Sequence, residues 1–167
     1  MTSTRSPLGD SLALLFSELL DGPRGGCYML NRGDRGLLRS LDALSAAAAS
    51  TVPAGGGASI AAHVDHVLYG IHLYNRWVAG EKNPWADADW TASWQRGSVN
   101  DREWAALREQ LRVEAEKWKV SIADTGDLEG MALNGVIASV AHLAYHVGAI
   151  RQIDRSLRGP SAEQVAS

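Results

Sequence analysis

The five histidines of this chain fall in two short segments, and one segment has the spacing of a metal site. His142 and His146 are four residues apart. On a helix each residue advances about 100°, so the two side chains share one face, about 6 Å apart along the axis. Two imidazoles at this HxxxH spacing can bind one metal ion. Taken alone, the pair is more simply explained by two histidines that form hydrogen bonds inside an apolar helix.

The other three histidines, His63, His66 and His72, lie on one predicted helix whose apolar stripe is centred on Ile60. Relative to Ile60, His63 lies about 60° to one side and His66 about 120° to that side, whereas His72 lies about 120° to the other. His63 therefore faces closest to the core. We expect His63 to join the HxxxH pair in a three-nitrogen site inside a helical bundle. Such a site leaves coordination positions open for water or substrate.

The neighbours of these histidines have two interpretations each. His66 could be an alternative ligand or a base beside the metal, but its place at the edge of the stripe favours a surface or interface histidine. Asp65 and Asp154 could accept the second N–H of a metal-bound imidazole. Solvated helix faces carry such carboxylates too, and that interpretation is preferred. Tyr145 points away from at least one histidine of the pair and is assigned to packing.

Hydrophobic spacing predicts the helices that must position these side chains. They cover residues 12–19, 37–49, 60–78, 100–123 and 136–157, with Gly, Pro or Asp near the ends. Ser59 is the expected N-cap of the third helix, and Asn100 and Glu103 have capping-box spacing. No alternating strand pattern is present. The prediction is an all-α fold: a four-helix bundle with a long crossover at 80–99 between its second and third helices, plus a short N-terminal helix.

Composition limits the classes of function. The 167 residues carry a net charge of -3, so there is no global basic field for a nucleic acid. Cys27 is the only cysteine, which excludes an internal disulfide or a CxxC pair. The most apolar stretch, residues 135–150, is shorter than the roughly 20 residues of a membrane span. We expect one cytoplasmic domain over residues 1–167, with a core at about 36–157 and a Gly-rich segment before it, and neither nucleic acid nor membrane as partner.

Two motifs resemble those of the DinB-like superfamily. One is Ala62-His63-Val64-Asp65-His66, which follows a Gly-rich loop, and the other runs from Ala141 to Ile150 and contains His-x-Gly-x-Ile. The resemblance covers about residues 36–157 and implies a four-helix bundle with a long connection. It also implies a divalent metal held by three histidines, and these carry over onto His63, His142 and His146.

The resemblance leaves the activity open. The superfamily includes metal-dependent transferases that use bacillithiol, mycothiol or glutathione, beside members of unknown function. A thiol bound to a metal is deprotonated near neutral pH and becomes a nucleophile. The same open site could instead activate water for hydrolysis. We expect a low-molecular-weight-thiol S-transferase acting on small electrophiles, with zinc or nickel as the metal. The alternatives are a non-catalytic metal- or ligand-binding bundle and a metal-dependent hydrolase, and no catalytic residue is assigned.

Other residues could contribute to a site or an interface. The tryptophans could form a wall over the metal pocket, although core or a dimer surface is the preferred interpretation. Arg32, Arg35 and Arg39 could bind the carboxylates of a thiol cofactor, but a solvated helix start is favoured. A homodimer is suggested by the extra N-terminal helix and by the number of tryptophans. The six tryptophans are Trp77, Trp85, Trp90, Trp94, Trp104 and Trp118.

Overall fold

A computed structural model describes residues 5–126 and 128–166, and these residues form helices and connecting segments without a strand. Helix makes up 65% of the described residues, so the predicted all-α class is confirmed. The four-helix-bundle topology stays a prediction. The helices are α1 (Pro7–Asp21), α2 (Gly36–Asp42), α3 (Ala46–Ser50), α4 (Ile60–Val78), α5 (Trp90–Ser93), α6 (Asp101–Ala123), α7 (Gly130–Ile153), a 3-10 helix (Arg155–Leu157) and α8 (Ala162–Ala166).

The chain divides into two compact units, which are described separately. The first unit comprises Met1–Asp42 and Lys119–Ser167, and the second comprises Ala43–Trp118. Helices α1, α2, α7 and α8 belong to the first unit, and α3, α4 and α5 belong to the second. Helix α6 begins in the second unit and ends in the first. The single domain expected over 1–167 stays a prediction.

In the first unit, the N-terminal helix α1 is part of the core. It packs against α2 and α7, and Phe16, Leu19 and Leu20 are buried. The Ser6 side chain caps its first turn by accepting a hydrogen bond from the Gly9 N–H. Gly22 ends the helix at a φ of 88°, a conformation that favours glycine. The predicted short helix is therefore longer than its apolar stripe and is held by tertiary packing.

The Gly-rich segment between α1 and α2 is held by a buried carboxylate. Glu18 is 3% exposed. Its side chain accepts hydrogen bonds from the backbone N–H groups of Tyr28, Met29 and Leu30 at 2.7–3.0 Å. Three donors on one carboxylate satisfy its charge without a cation. The Glu18 side chain of α1 thus orders the segment. This role of Glu18 was not predicted from the sequence.

A second buried carboxylate, Asp34, joins the two ends of the first unit. Asp34 Oδ1 accepts hydrogen bonds from the Gly36 N–H at 2.8 Å and from Arg151 of α7 at 2.7 Å. A Cβ atom on Gly159 would lie 2.0 Å from Asp34 Oδ2, so only glycine fits there. The ion pair therefore links the Gly-rich segment, α7 and the C-terminal turn.

The second unit corrects one predicted helix. The stripe at 37–49 was expected to form a single helix, but α2 ends at Asp42 and α3 begins at Ala46. The Ser45 side chain accepts from the Ala48 N–H and starts a new helix. The indole N–H of Trp104 donates to the carbonyl of Leu44 at 2.9 Å, so this carbonyl has a partner outside a helix. A side-chain cap and a tertiary hydrogen bond thus divide the stripe.

Helices α4 and α6 begin as the sequence predicts. Ser59 accepts from the Ala62 N–H at the start of α4. The Asn100 side chain accepts from the Glu103 N–H, and the Glu103 side chain accepts from the Asn100 N–H, which completes the capping box. Tyr74 of α4 stacks on Trp118 of α6, with ring centroids 4.9 Å apart. The stacked rings of Tyr74 and Trp118 join α4 to α6 inside the second unit.

Helix α7 ends earlier than predicted. It was expected to continue to residue 157, but it stops at Ile153 and a 3-10 turn follows. The Asp154 carboxylate accepts from the N–H and the hydroxyl of Ser156, so it caps that turn and is not the outer partner of an imidazole.

The same helix is long and apolar enough to cross a membrane by length and composition, with a mean hydropathy of 1.3. Core helices of soluble proteins pass the same test. Helix α7 packs against α1 and buries Val136, Val140, Leu143 and Val147. Met131, Ile137 and Tyr145 of the same helix are exposed, so α7 is only partly buried, and the cytoplasmic location stays a prediction.

We predict that Glu18→Ala destabilises the chain by about 2 kcal/mol, because three backbone donors lose a charged acceptor. Urea unfolding measures the loss, and faster tryptic cleavage after Arg24 and Arg32 reports the loosened segment. Glu109→Ala is the matched control, since Glu109 is exposed and makes one weak ion pair. An unchanged urea midpoint for Glu18→Ala would show that the carboxylate does not hold the segment.

Candidate functional site

The HxxxH pair of α7 is formed as the spacing predicts. The Nε2 atoms of His142 and His146 are 3.0 Å apart, and the two rings are nearly perpendicular. His146 is 1% exposed, and His142 is partly buried. Without a metal, one Nε2–H donates to the other Nε2, so each nitrogen of this contact has a partner.

The distance within the pair also fits a shared metal ion. Two nitrogens that bind one zinc ion at about 2.1 Å lie about 3.0 to 3.4 Å apart for bond angles between 90° and tetrahedral. The observed separation of 3.0 Å lies in this range. Burial lowers the pKa of His142 below its ordinary value, so the imidazole is neutral at pH 7. A neutral imidazole is the form that binds a metal.

In the second unit, His63 and His66 of α4 contact the tryptophans of the crossover. The ring of His66 stacks on Trp94 with centroids 4.1 Å apart and also contacts Trp90 at 5.6 Å. His63 meets the edge of Trp94 at 5.2 Å. Burial lowers the pKa of His63, so this imidazole is also neutral at pH 7. The two histidines of α4 therefore lie in an aromatic surrounding that α5 provides.

Ser93 fixes which nitrogen of His66 carries a hydrogen. The Ser93 hydroxyl has one hydrogen, which it donates to the carbonyl of Trp90 at 2.8 Å. Towards His66 Nδ1, 2.7 Å away, the same oxygen must therefore act as acceptor. Nδ1 thus carries a hydrogen, and a neutral ring in this tautomer has its lone pair on Nε2. This is the arrangement by which a hydrogen bond orients a histidine ligand.

The structure corrects the preferred interpretation of His66. It was expected on the surface or at an interface, but it is 6% exposed and packed between two indole rings. Helical arithmetic placed it at the stripe edge, and the crossover covers that edge. His72, expected outside the site, is exposed and lies 3.4 Å from Glu114. A site that joins His63 to His142 and His146 stays a prediction, because α4 and α7 belong to different units.

Several other candidates have different partners. Asp65 pairs with Arg96 at 2.8 Å, so its carboxylate links α4 to the crossover and does not orient an imidazole. Tyr145 was assigned to packing, but it is 68% exposed, and only the edge of its ring meets His146. The arginines near the Gly-rich segment are exposed, as the solvated interpretation expects: Arg32, Arg35 and Arg39.

Sequence reasoning did not find Ser93 or helix α5. The available signal was the Trp90-x-x-Ser93-Trp94 pattern, because two tryptophans four residues apart lie on one side of a helical turn. Asp89 caps that turn by accepting from the Ala92 N–H. The connection therefore contains an ordered element, α5, that packs against α4. This agrees with its aromatic content, which is high for a solvated loop.

The family model of the DinB superfamily matches residues 29–150. The chain belongs to the DinB superfamily. The match includes all of α4, α5 and α6 and the two histidines of α7, whereas α1 lies before it. No curated protein and no solved structure matches the chain. Membership of the DinB superfamily thus confirms the resemblance that the histidine motifs indicate.

We predict that His66 of the metal-free protein carries its hydrogen on Nδ1. Long-range ¹H–¹⁵N correlation spectra of the imidazoles distinguish a protonated from a bare nitrogen. In Ser93→Ala the Nδ1–H loses its acceptor, so the Nε2–H form should increase. The His72 signals are the internal control and should not change. An Nε2–H form of His66 in the wild-type protein would contradict the assignment.

Proposed function

We propose that the chain is a divalent-metal-dependent enzyme of the DinB superfamily that transfers a low-molecular-weight thiol to small electrophiles. The observation that carries the proposal is the His142–His146 pair, whose Nε2 atoms are 3.0 Å apart on a helix that the family match includes. Zinc and nickel are the candidate metals, because both accept imidazole ligands.

The third ligand would come from α4. We propose that it completes a set of three imidazole nitrogens with His142 and His146, and His66 is one candidate. Ser93 leaves the His66 Nε2 with a lone pair, which favours His66. The family motif favours His63, which is buried and neutral at pH 7. We therefore propose His142 and His146 with one of these two histidines, and His66 is the first choice.

Three imidazoles leave coordination positions open, which is the pattern of a catalytic rather than a structural site. A divalent metal bound there would lower the pKa of a coordinated thiol or water. The protein contributes neutral ligands and an aromatic surrounding formed by Trp90 and Trp94. Both indole rings are partly exposed, and an aromatic surface of this kind suits a small organic electrophile. The substrate is therefore proposed to be a small molecule, and a homodimer stays a prediction.

One observation favours a second candidate function, a non-catalytic bundle. His142 and His146 satisfy each other by a hydrogen bond, so the pair does not need a metal to be buried. In that case the histidines would serve as packing or would bind a ligand without chemistry. The metal content of the protein separates the two candidates.

We predict about one divalent metal ion per chain in the purified, tag-free protein, measured by plasma mass spectrometry. His142→Ala and His146→Ala should remove it, because each leaves too few ligands. His72→Ala is the matched control and should retain the metal, since His72 is exposed on the flank of α4. Circular dichroism confirms that the variants are folded. A wild-type protein that takes up neither zinc nor nickel would favour the non-catalytic bundle.

The same measurement identifies the third ligand. We predict that His66→Ala lowers the metal affinity by at least about 100-fold, as loss of a ligand should exceed the effect of an outer partner. His63→Ala should lower it much less. The opposite result would assign the ligand to His63, as the family motif implies.

We predict that the metal-loaded protein accelerates transfer of glutathione, mycothiol or bacillithiol to 1-chloro-2,4-dinitrobenzene. In this reaction the S–C bond forms, chloride leaves and the thiol proton passes to water. Absorbance of the thioether measures the rate, and His146→Ala supplies the background. Equal rates for both proteins with all three thiols would contradict the transferase. Hydrolysis of nitrophenyl esters that depends on His146 would indicate a hydrolase instead.

A further inference from the structure

The second unit contains a cleft of about 580 Å³ that the proposed metal site does not use. It lies between α4, α5 and α6, and its volume is that of a small-molecule site. Its wall combines apolar and polar side chains. The residues that line it include Leu68, Tyr69, Asp89, Ala92, Ser93 and Glu114.

The charges around the cleft are negative. Asp65, Asp89 and Glu114 line it, and no lysine or arginine is among its lining residues. Asp65 is neutralised by Arg96, and Glu114 by Lys117, which lies 2.7 Å from its Oε1. Among the described residues no lysine or arginine pairs with Asp89, whose Oδ1 accepts from the Ala92 N–H. One carboxylate charge at the cleft therefore stays uncompensated.

Glu114 is held in its ionised form although it is half-buried. Asn75 donates to Oε2 at 2.7 Å, and Lys117 donates to Oε1. Burial alone would raise its pKa, but the hydrogen bonds from Lys117 and Asn75 hold the pKa below its ordinary value. His72 lies 3.4 Å from the same oxygen as Asn75. The carboxylate is thus fixed in position on the cleft wall.

An aromatic ring completes the wall and fixes the rim. The Tyr69 hydroxyl oxygen accepts from the Asp89 N–H at 2.9 Å, which joins α4 to the residue before α5. Trp90 meets the Tyr69 ring edge-on at 5.4 Å and holds its orientation. Aromatic rings attract cations through their faces. The cleft is therefore preformed by contacts within its own unit.

We propose that this cleft binds a small organic cation, an alkylammonium or alkylguanidinium group. The charged head lies at Asp89 and Glu114, and the alkyl part lies against Leu68 and Ala92. Such a ligand matches the wall, which offers the uncompensated carboxylate of Asp89, the fixed carboxylate of Glu114, an aromatic ring and an apolar surface. A neutral or anionic ligand of the same size would contact only the apolar surface of the cleft and would bind more weakly.

The cleft also adjoins a histidine of the proposed metal site. Ser93 lines the cleft and accepts from His66 Nδ1, so a ligand in the cleft lies next to the hydroxyl that orients this imidazole. If the thiol-transfer function is correct, on which this step rests, the electrophilic substrate carries a cationic group. The binding site itself does not depend on the metal.

The test is titration of the metal-free protein with butylammonium, butylguanidinium, pentan-1-ol and pentanoate, followed by backbone amide shifts. The two cations should bind about tenfold more tightly than pentan-1-ol, and pentanoate should bind most weakly. The largest shifts should occur at Tyr69, Asp89, Ala92 and Ser93. Glu114→Gln and Asp89→Asn should each weaken the cations by about five- to tenfold. Glu109→Gln, an exposed carboxylate on the same helix α6, is the matched control and should change nothing.

Ala92→Phe tests the site without changing its charge. Ala92 is exposed on the cleft wall, so the larger ring fills the cleft and should abolish binding while the thermal midpoint is kept. Equal affinities for cation and alcohol, equal effects of Glu109→Gln and Glu114→Gln, or unchanged binding by Ala92→Phe would each overturn the proposal. Because the protein is metal-free, these outcomes are independent of thiol transfer, and loss of thiol transfer alone would overturn only the proposed function.

Discussion

A buried imidazole needs a partner for each ring nitrogen, and this requirement explains much of the local structure around the histidines. On α7 one nitrogen of each ring finds its partner within the helix, because His142 and His146 are one turn apart and their Nε2 atoms approach to 3.0 Å. On α4 the chain needs a second element, and the crossover supplies the Ser93 oxygen for His66. In both places a polar neighbour within hydrogen-bond distance orients a ring nitrogen.

The crossover must be ordered for Ser93 to act in this way, although α5 has only four residues. Isolated helices of this length are not stable, because ordering the backbone costs about 1 to 2 kcal/mol per residue. Three contacts offset this cost: the Asp89 cap, the ion pair between Asp65 and Arg96, and the rings of Trp90 and Trp94 on His66. The aromatic residues of the connection therefore both stabilise it and surround the histidines.

The sequence predicts features that depend on residues a few positions apart. It does not predict helix ends or burial that depend on contacts with residues distant in the sequence. The cap at Ser59, the capping box at Asn100 and the shared helix face of His142 and His146 are local features, and the structure contains all three. The division between α2 and α3 depends on the distant Trp104 as well as on Ser45, so the apolar stripe alone could not show it. The burial of His66 likewise depends on residues that follow it by more than twenty positions. The ion pair of Asp65 could not be predicted for the same reason, because its partner Arg96 lies in the crossover and not on the same helix.

The histidine pair also explains how this chain can fold without a metal. In small zinc domains the metal supplies the folding free energy, because the ligands have no other partners. Here His142 and His146 are partners of each other, and the first unit has a core of Phe16, Leu19 and Val136. A metal ion would have to replace a hydrogen bond worth about 1 kcal/mol, which is small beside the free energy of metal binding. The stability of the fold therefore depends on the apolar core. Binding of a metal ion by His142 and His146 would cost only the hydrogen bond between them.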